Sequence, residues 1–576
     1  LQQGFLRLGY AVKGDDNHMR MTNKIMQNNS LYNINNTKEL TDKLSTQMST
    51  KKKITRPSDD PVIAIRALRL RSDVSQITQF YEKNAKDGAS WLKVTGDALE
   101  TTSELLKNMI GLCTQGAVKD FDSNNIAIVI AQLKELKGEF YSTGNVDYAG
   151  RYMFTGYRTD TPLTFMENLP ENENDPAYRK YSITEQLDIS SLDTINYTDI
   201  GTLKGVSKES YNPANGPAEE EKDISNSDIY RIRLSYDSIK ADNTNKPTIN
   251  IITEANKKAA ALNGTEPTEN TLVASGDIEV VSATANPNPQ DYVLANPDKA
   301  VLIPETGELL IGADLYEAKF NSVNNTDMTT GAEIRITYEK DSWKKGDMRP
   351  EHYFACKDIT KADPDPAKDG TIEYNHVEYL DTTVNPPQKK KFIPCDKVTQ
   401  FLEYDVGYNQ RIRVNTTADE VFTMDMDRNI DDMENALASL KEIEAVKTDL
   451  EKMMKGMDES HPDYANLKTT YAAAEKAHTH IRENMQKMFE GLITKTQEIS
   501  DLTSLAITDN GTRASRLDLI DNRLMTQKST FETLQSANED IDVTEVTVKL
   551  TSMDFSYQSA LLATGKILQN SLMNYI

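Results

Sequence analysis

Apolar residues recur at three- and four-residue steps through both ends of the 576-residue chain and through little of its middle. Between Arg513 and Ile576, Leu517, Ile520, Leu524, Phe531, Leu534 and Ile541 fall on one face of a helix. After the acidic interval Asn538–Asp542 a second stripe follows: Val546, Leu550, Met553, Tyr557, Leu561, Leu568 and Leu572. The whole segment has no proline and a single glycine, Gly565. Polar residues between the stripe positions exclude a membrane span, which needs roughly 18 or more consecutive apolar residues. A helix with so narrow a stripe cannot bury it against itself. It needs a partner, and the first hundred residues carry a matching pattern.

At that end, residues 1–20 read as a poorly ordered leader with no sustained periodicity, and the organised chain starts near Met19 or Met21. Thr22–Thr50 reads as helix, with Leu40, Leu44 and Met48 on one face; the asparagines of Asn28–Asn36 make it weak without tertiary support. In Arg56-Pro57-Ser58-Asp59-Asp60-Pro61, Pro57 stops what precedes it. Asp60 then caps a new helix with Pro61 at its first position, and Asp59 adds negative charge near the positive end of the helix dipole. Ile63, Ala67, Leu70, Val74, Ile77 and Tyr81 alternate steps of four and three, a coiled-coil-like seam expected to pair within the subunit. Leu40–Met48 and Leu550–Leu572 are expected to pair with each other and with neighbouring subunits. Two more helices carry Leu99, Leu106, Ile110 and Cys113, and Ile126, Ile130, Leu133 and Leu136; Gly150–Tyr157 closes the segment as a turn and short strand.

The middle changes character. Seventeen of the 20 prolines lie between Pro162 and Pro394, which breaks any long helix there. Strand-like runs stand between them at Tyr230–Tyr236, Thr248–Thr253, Ile278–Ser282, Glu308–Ile311 and Glu333–Tyr338, with a short helix at Glu254–Leu262. Helix returns near Asp419, and Met424–Lys455 is rich in Met, Leu, Glu and Lys; Gly491 and Gly511 are the expected breaks before the closing helix. The predicted fold is mainly α, a long helical bundle or coiled coil made by both chain ends, with a β-rich insert. Its segments are 1–20, 21–55, 56–165, an insert at 166–420 in two parts, 421–512, and 513–576.

Charge sharpens this picture. Residues 19–165 carry 20 basic and 16 acidic groups, whereas residues 421–576 carry 16 and 26, so the two ends have opposite sign. The net charge of −24 argues against a nucleic-acid partner, and the basic cluster Lys51–Lys53 with Arg56 is read as a solvated helix end. Cys113, Cys356 and Cys395 form neither a disulfide framework nor a metal-ligand spacing. Leu1–His18 lacks the apolar core of a signal peptide, so export, if it occurs, is expected without a cleaved leader.

No catalytic pattern emerges. The histidines, His18, His352, His376, His461, His478 and His480, include no H-E-x-x-H zinc motif, and Glu351 precedes His352 in the wrong order. Glu475 and His478 have the spacing of a di-iron pair without a second copy. Asp425, Asp427, Asp431 and Asp432 lack the glycine and closing glutamate of a calcium loop and read as an acidic first helical turn. No enzyme, metal or cofactor is expected.

Several pieces resemble the flagellin family. Ile54–Pro61 (ITRPSDDP) is similar to the loop between its first two N-terminal helices, and Asn84–Leu99 (NAKDGASWLKVTGDAL) to the helical block that follows. Arg516–Leu534 and Ala560–Leu572 (ALLATGKILQNSL) are similar to the family's C-terminal helix. Gly150–Phe165 and Tyr404–Val414 (YDVGYNQRIRV) look more like the branch that joins hook to filament than like filament-forming members. The resemblance implies a structural protein of the bacterial flagellum, exported through the flagellar channel and assembled head to tail. Its implied partners are copies of itself, a hook-side junction protein and flagellin, with an export chaperone on the C-terminal helix. Filament-forming flagellin is the alternative, and an adhesin acting through the insert a more distant one. Under this resemblance Ser58–Pro61 reads either as a plain helix start or as a contact to a neighbouring subunit, and the residues leave both open.

Overall fold

The structure, a computed structural model, describes residues 23–118, 122–242, 245–285, 288–362, 369–381 and 387–569. The expected leader and Leu572 lie outside them. Four helices precede the insert: α1 (Asn23–Thr50), α2 (Pro61–Thr78), α3 (Lys86–Gly116) and α4 (Ser123–Thr143). Three short ones belong to it, α5 (Glu254–Asn263), α6 (Pro289–Ala295) and α7 (Ala313–Lys319). Three follow: α8 (Asp425–Lys455), α9 (Tyr464–Glu539) and α10 (Val543–Gln569). The chain divides into two compact units, one of residues up to Ala85 and from Leu519 onward, the other Lys86–Asp518.

In the second unit the three- and four-residue apolar spacing makes a helical bundle. Trp91, Leu99, Leu106, Met109 and Cys113 of α3 are buried with Ile126, Ile130, Leu133 and Phe140 of α4. Leu440 and Leu450 of α8 and Ala473, Ala477, Met485 and Phe489 of α9 are buried as well. Burial pushes the Cys113 thiol up to about 12, so it is an inert core residue. Lys134 pairs with Glu434 at 2.8 Å, and the Ser123 hydroxyl donates to Glu444 at 2.6 Å, tying α4 to α8.

The expected breaks at Gly491 and Gly511 do not occur: α9 runs unbroken through both. Each glycine sits on the exposed side, where a helical glycine costs about 1 kcal/mol relative to alanine. Burying Phe489, Leu492, Ile499 and Leu517 on the opposite side stabilises the same helix by roughly 1.5–3 kcal/mol per side chain. Packing therefore wins over local propensity. The true break comes later, at Asp540–Asp542, where the acidic interval stands.

The insert is β-rich as expected. A five-stranded sheet has the order Leu192–Asp199, Ser225–Arg233, Glu308–Ile311, Ala300–Ile303 and Ile278–Val280, with only the last pair parallel. A six-stranded antiparallel sheet runs Ile372–Tyr374, Ala355–Asp358, Tyr181–Leu187, Glu333–Lys340, Ile249–Ile252 and Asn270–Val273. Both contribute to one core: Ile232 and Leu309 from the first join Ile183 and Ile334 from the second. Trp343 stands at its centre, with Phe165, Tyr181 and Tyr236 rings 4.9, 5.5 and 5.3 Å away. The two larger sheets thus share one core.

The acidic start of α8 is where the insert is fastened. Arg231, almost fully buried, meets Asp193, Glu308 and Asp432, and Arg233 meets Asp432 at 2.8 Å. Asp427 pairs with Lys137 of α4. These carboxylates serve as anchors for cations of the chain itself.

Gly116 ends α3 against Phe489, and a Cβ built there would sit 2.3 Å from that ring. Gly116→Ala should therefore destabilise the second unit by about 1–3 kcal/mol through overpacking. Gly511→Ala, with open space around it, should stabilise by up to about 1 kcal/mol. Urea midpoints followed by tryptophan fluorescence read both shifts.

Candidate subunit-packing surface

The first unit is built from α1, α2, the last part of α9, and α10. Helices α1 and α10 pair antiparallel, beginning where the Thr547 hydroxyl lies 3.8 Å from the Met48 sulfur. Ile34 and Leu44 of α1 and Val546 of α10 are buried; Met48, Leu550, Met553 and Tyr557 are half-buried. Leu40 and Leu561, expected on the same faces, stay exposed at 46% and 45%. Leu568 lies within α10 at a position whose side chain is outside the described set.

A polar clasp closes the open end of this pair. Lys52 bridges to Asp540 in antiparallel fashion, the Lys53 amide donates to the Glu539 carbonyl at 2.7 Å, and the Ile541 amide donates to Lys51 at 3.2 Å. Lys51 adopts the left-handed region, φ 56°, to make the turn. Arg71 of α2 reaches the buried Glu539 carboxylate with two nitrogens, at 2.8 and 2.6 Å, and Lys52 lies 3.4 Å from it. The Arg71 hydrogen bonds hold Glu539 below its ordinary range, and Lys52 does the same for Asp540. The opposite charge of the chain ends is thus used at close quarters.

The loop before α2 follows its sequence with one change. Asp60 accepts from the amides of Val62 and Ile63 at 2.9 and 3.1 Å, with Pro61 opening the helix. Asp59 turns the other way: it accepts from the amides of Thr55 and Arg56, at 3.1 and 2.9 Å, and so folds the Arg56-Pro57-Ser58 loop rather than the dipole end. Those bonds favour its charged form and hold its pKa below the ordinary value. Arg56, Pro57 and Ser58 are exposed.

Along α2, Ala67 and Ile77 are buried, and Ile63, Leu70, Val74 and Tyr81 half-buried. Several polar contacts along this seam go to α9: Asn538 donates to the Ile63 carbonyl at 3.2 Å, Arg71 to Glu539, and Lys528 meets Glu82 and the Tyr81 ring. Ile520 and Leu524 are the buried apolar α9 residues of this unit. The α-helical winding stops at Thr78, and Gln79–Ala85 forms a π-helical segment before α3.

What remains uncovered is the main feature of this unit. On α10, Val548, Phe555 and Leu562 are 66%, 73% and 71% exposed and follow each other at steps of seven. That is a second apolar seam on the face turned away from α1, with the period of a coiled coil. Ile25, Leu31 and Tyr32 of α1, and Leu519, Met525 and Leu534 of α9, are exposed too. The inner α10 stripe masks the outer one in a scan for three- and four-residue steps; a search at strict seven-residue spacing finds it.

His18 lies outside the described residues, and two of the other histidines have structural partners. His352 is buried in the insert, bonded to the Pro162 carbonyl at 3.1 Å, and burial lowers it to about 4. His478 faces Glu444 at 3.3 Å, while Glu475 points to solvent. Among the described residues no group of three or more His, Cys, Asp or Glu could hold a metal ion, and no helix is long and apolar enough to cross a membrane.

Residues 21–159 match the family model of the bacterial flagellin N-terminal helical region. The chain is similar to flagellar hook-associated protein 3 of Salmonella typhimurium, 25% identical over 330 residues, covering 56% of this chain and 95% of the relative. The protein of the same name in Escherichia coli is 26% identical over 206 residues, 35% of this chain and 62% of its own length. Among solved structures, a putative flagellar hook-associated protein from Vibrio parahaemolyticus aligns with a TM-score of 0.29 at 12% identity, over 84% of this chain and all of that one. The FlgL protein of Xanthomonas campestris aligns with a TM-score of 0.27 at 12% identity, over 81% and 99%. Those two scores are too low to carry an argument of their own.

Because Glu539 and Asp540 are held below their ordinary values of 4.5 and 3.8, the clasp contributes its full stability above those values and loses it as the pH falls through the depressed ones. Hydrogen exchange at the Lys53 and Ile541 amides, corrected for intrinsic rates, should accelerate sharply below pH 4. Glu539→Gln should weaken protection at neutral pH and flatten most of that dependence.

Proposed function

We propose, from the premise that this chain is flagellin-like and resembles flagellar hook-associated protein 3, that it is a structural subunit of the bacterial flagellum acting where hook meets filament. The observation that carries the reading is the outer seam of α10. Val548, Phe555 and Leu562 offer large apolar side chains at heptad spacing with no partner helix among the described residues of their own unit. The natural cover for such a seam is another helix, and chains that each supply and receive one assemble head to tail into open arrays.

Energetics supports the same reading. Two paired helices held by a handful of buried side chains are marginal in water, since helix nucleation and chain ordering are costly. Burial between subunits, at roughly 25 cal/mol per Å² of apolar area, offsets that cost only on assembly. Leu40, Leu44 and Met48, with Leu550, Met553, Tyr557, Leu561, Leu568 and Leu572, are then the packing set, extended by the outer seam. The partners would be further copies, a hook-side junction protein and flagellin, and α10 would be the segment an export chaperone covers before secretion. Location at the flagellum follows from the relatives' names; a route without a cleaved leader is part of the proposal.

Phe555→Glu tests it. The side chain is mostly solvent-exposed, so the variant should keep the melting behaviour of the parent while losing concentration-dependent association and incorporation into flagella. Association unchanged by Phe555→Glu contradicts the reading. Long filaments grown from seeds of the pure protein would move the assignment to a filament-forming flagellin.

A further inference from the structure

Helix α2 carries a ridge and the α3–α4 hairpin carries a trough, and we propose that they meet between two copies of the chain. This inference rests on the assembly reading above and names one pair of surfaces that would carry it. On α2, Val62, Ile65 and Leu68 are 59%, 56% and 66% exposed at three-residue steps, on the side opposite the Ala67–Ile77 seam. Arg66 and Arg69 flank them; of the acids nearby, Asp60 is taken up by the Val62 and Ile63 amides, Asp59 by those of Thr55 and Arg56, and Asp73 is half-buried.

The trough, ≈ 780 Å³, lies on the outer side of α3 and α4. It exists because small residues, Gly111 and Ala131, stand where two helices would otherwise fill the space with side chains. At one end its walls are apolar, Leu112 and Ile128; towards the other stand Glu135 and, beyond it, the exposed Glu104 and Glu139, against a single lysine, Lys107.

The occupant is a second copy's α2, for two reasons. Charge is complementary: the ridge is apolar and basic, and the trough is apolar with an acidic end. Lengths also agree. Val62 to Arg69 and Ile128 to Glu135 each span seven residues, about 10 Å of helix rise. With the apolar triad over Gly111, Leu112 and Ile128, Arg69 comes to the Glu135 end, a ridge-into-groove packing. Three aliphatic side chains and one ion pair make a weak contact that gains strength by repetition along an open assembly.

Cysteine pairing between two separate single-cysteine variants tests this, because only interchain adducts can form. Full-length Ile65→Cys and Ala131→Cys chains, each with the half-buried Cys395 changed to serine, are mixed at rising concentration and treated with a short thiol cross-linker. The 65–131 adduct should form at least about tenfold above a control mixing Ala131→Cys with Leu262→Cys, whose site is far from α2 in sequence and fully exposed. Arg69→Glu should lower the yield about fivefold, and Glu135→Arg in the partner should restore it. Association without adduct above the control, or a yield indifferent to both charge changes, overturns the ridge–trough pairing and leaves assembly standing. No association at any concentration contradicts both.

Discussion

Everything in the first unit depends on one shortage: its helices have more apolar surface than neighbours to cover it. Helix α10 has an inner stripe of Val546, Leu550, Met553 and Tyr557 against α1 and an outer one of Val548, Phe555 and Leu562 that no described residue of that unit covers. A two-helix pair cannot bury both. In the second unit α3, α4, α8 and α9 surround one another and seat Trp91, Phe140 and Phe489 at nearly zero exposure. The same chain therefore combines a well-packed core with ends that leave large apolar side chains exposed.

The clasp fits that division. Hydrophobic burial is weak at the chain ends, so their pairing is set by directional contacts instead: Arg71 and Lys52 on Glu539, Lys52 on Asp540, and backbone bonds between the two connections. Glu539 is buried and charged, which is tolerable only with both cations in place. Such a contact fixes register more than it adds stability. It aligns α1 with α10 without using the surfaces that assembly needs.

Much of this was legible from residue spacing. The α2 start at Asp60-Pro61, the α8 span and five of the insert strands follow directly from periodicity, caps and proline placement. Gly491 and Gly511 misled because local propensity is small beside the burial of Phe489 and Leu517 on the far side of α9. The α8 carboxylates could not be assigned from composition, since their partners Arg231, Arg233 and Lys137 lie about 200 to 300 residues away in the chain. Nor could the π-helical turn at Gln79–Ala85, which preserves the apolar pattern while changing the winding. The packing surface was half visible: its inner face announced itself at helical steps, and its outer face needed a second period.

The most direct measurement is hydrogen exchange on the dilute, monomeric chain compared with the assembled state. The account predicts fast exchange through α1 and α10 in the monomer, slow exchange through α3, α4 and α8 in the same sample, and strong new protection of α1 and α10 on assembly. Helices α1 and α10 protected in the monomer as well as α3 is would contradict it, because an end that is already stable alone has no burial left to gain from a partner.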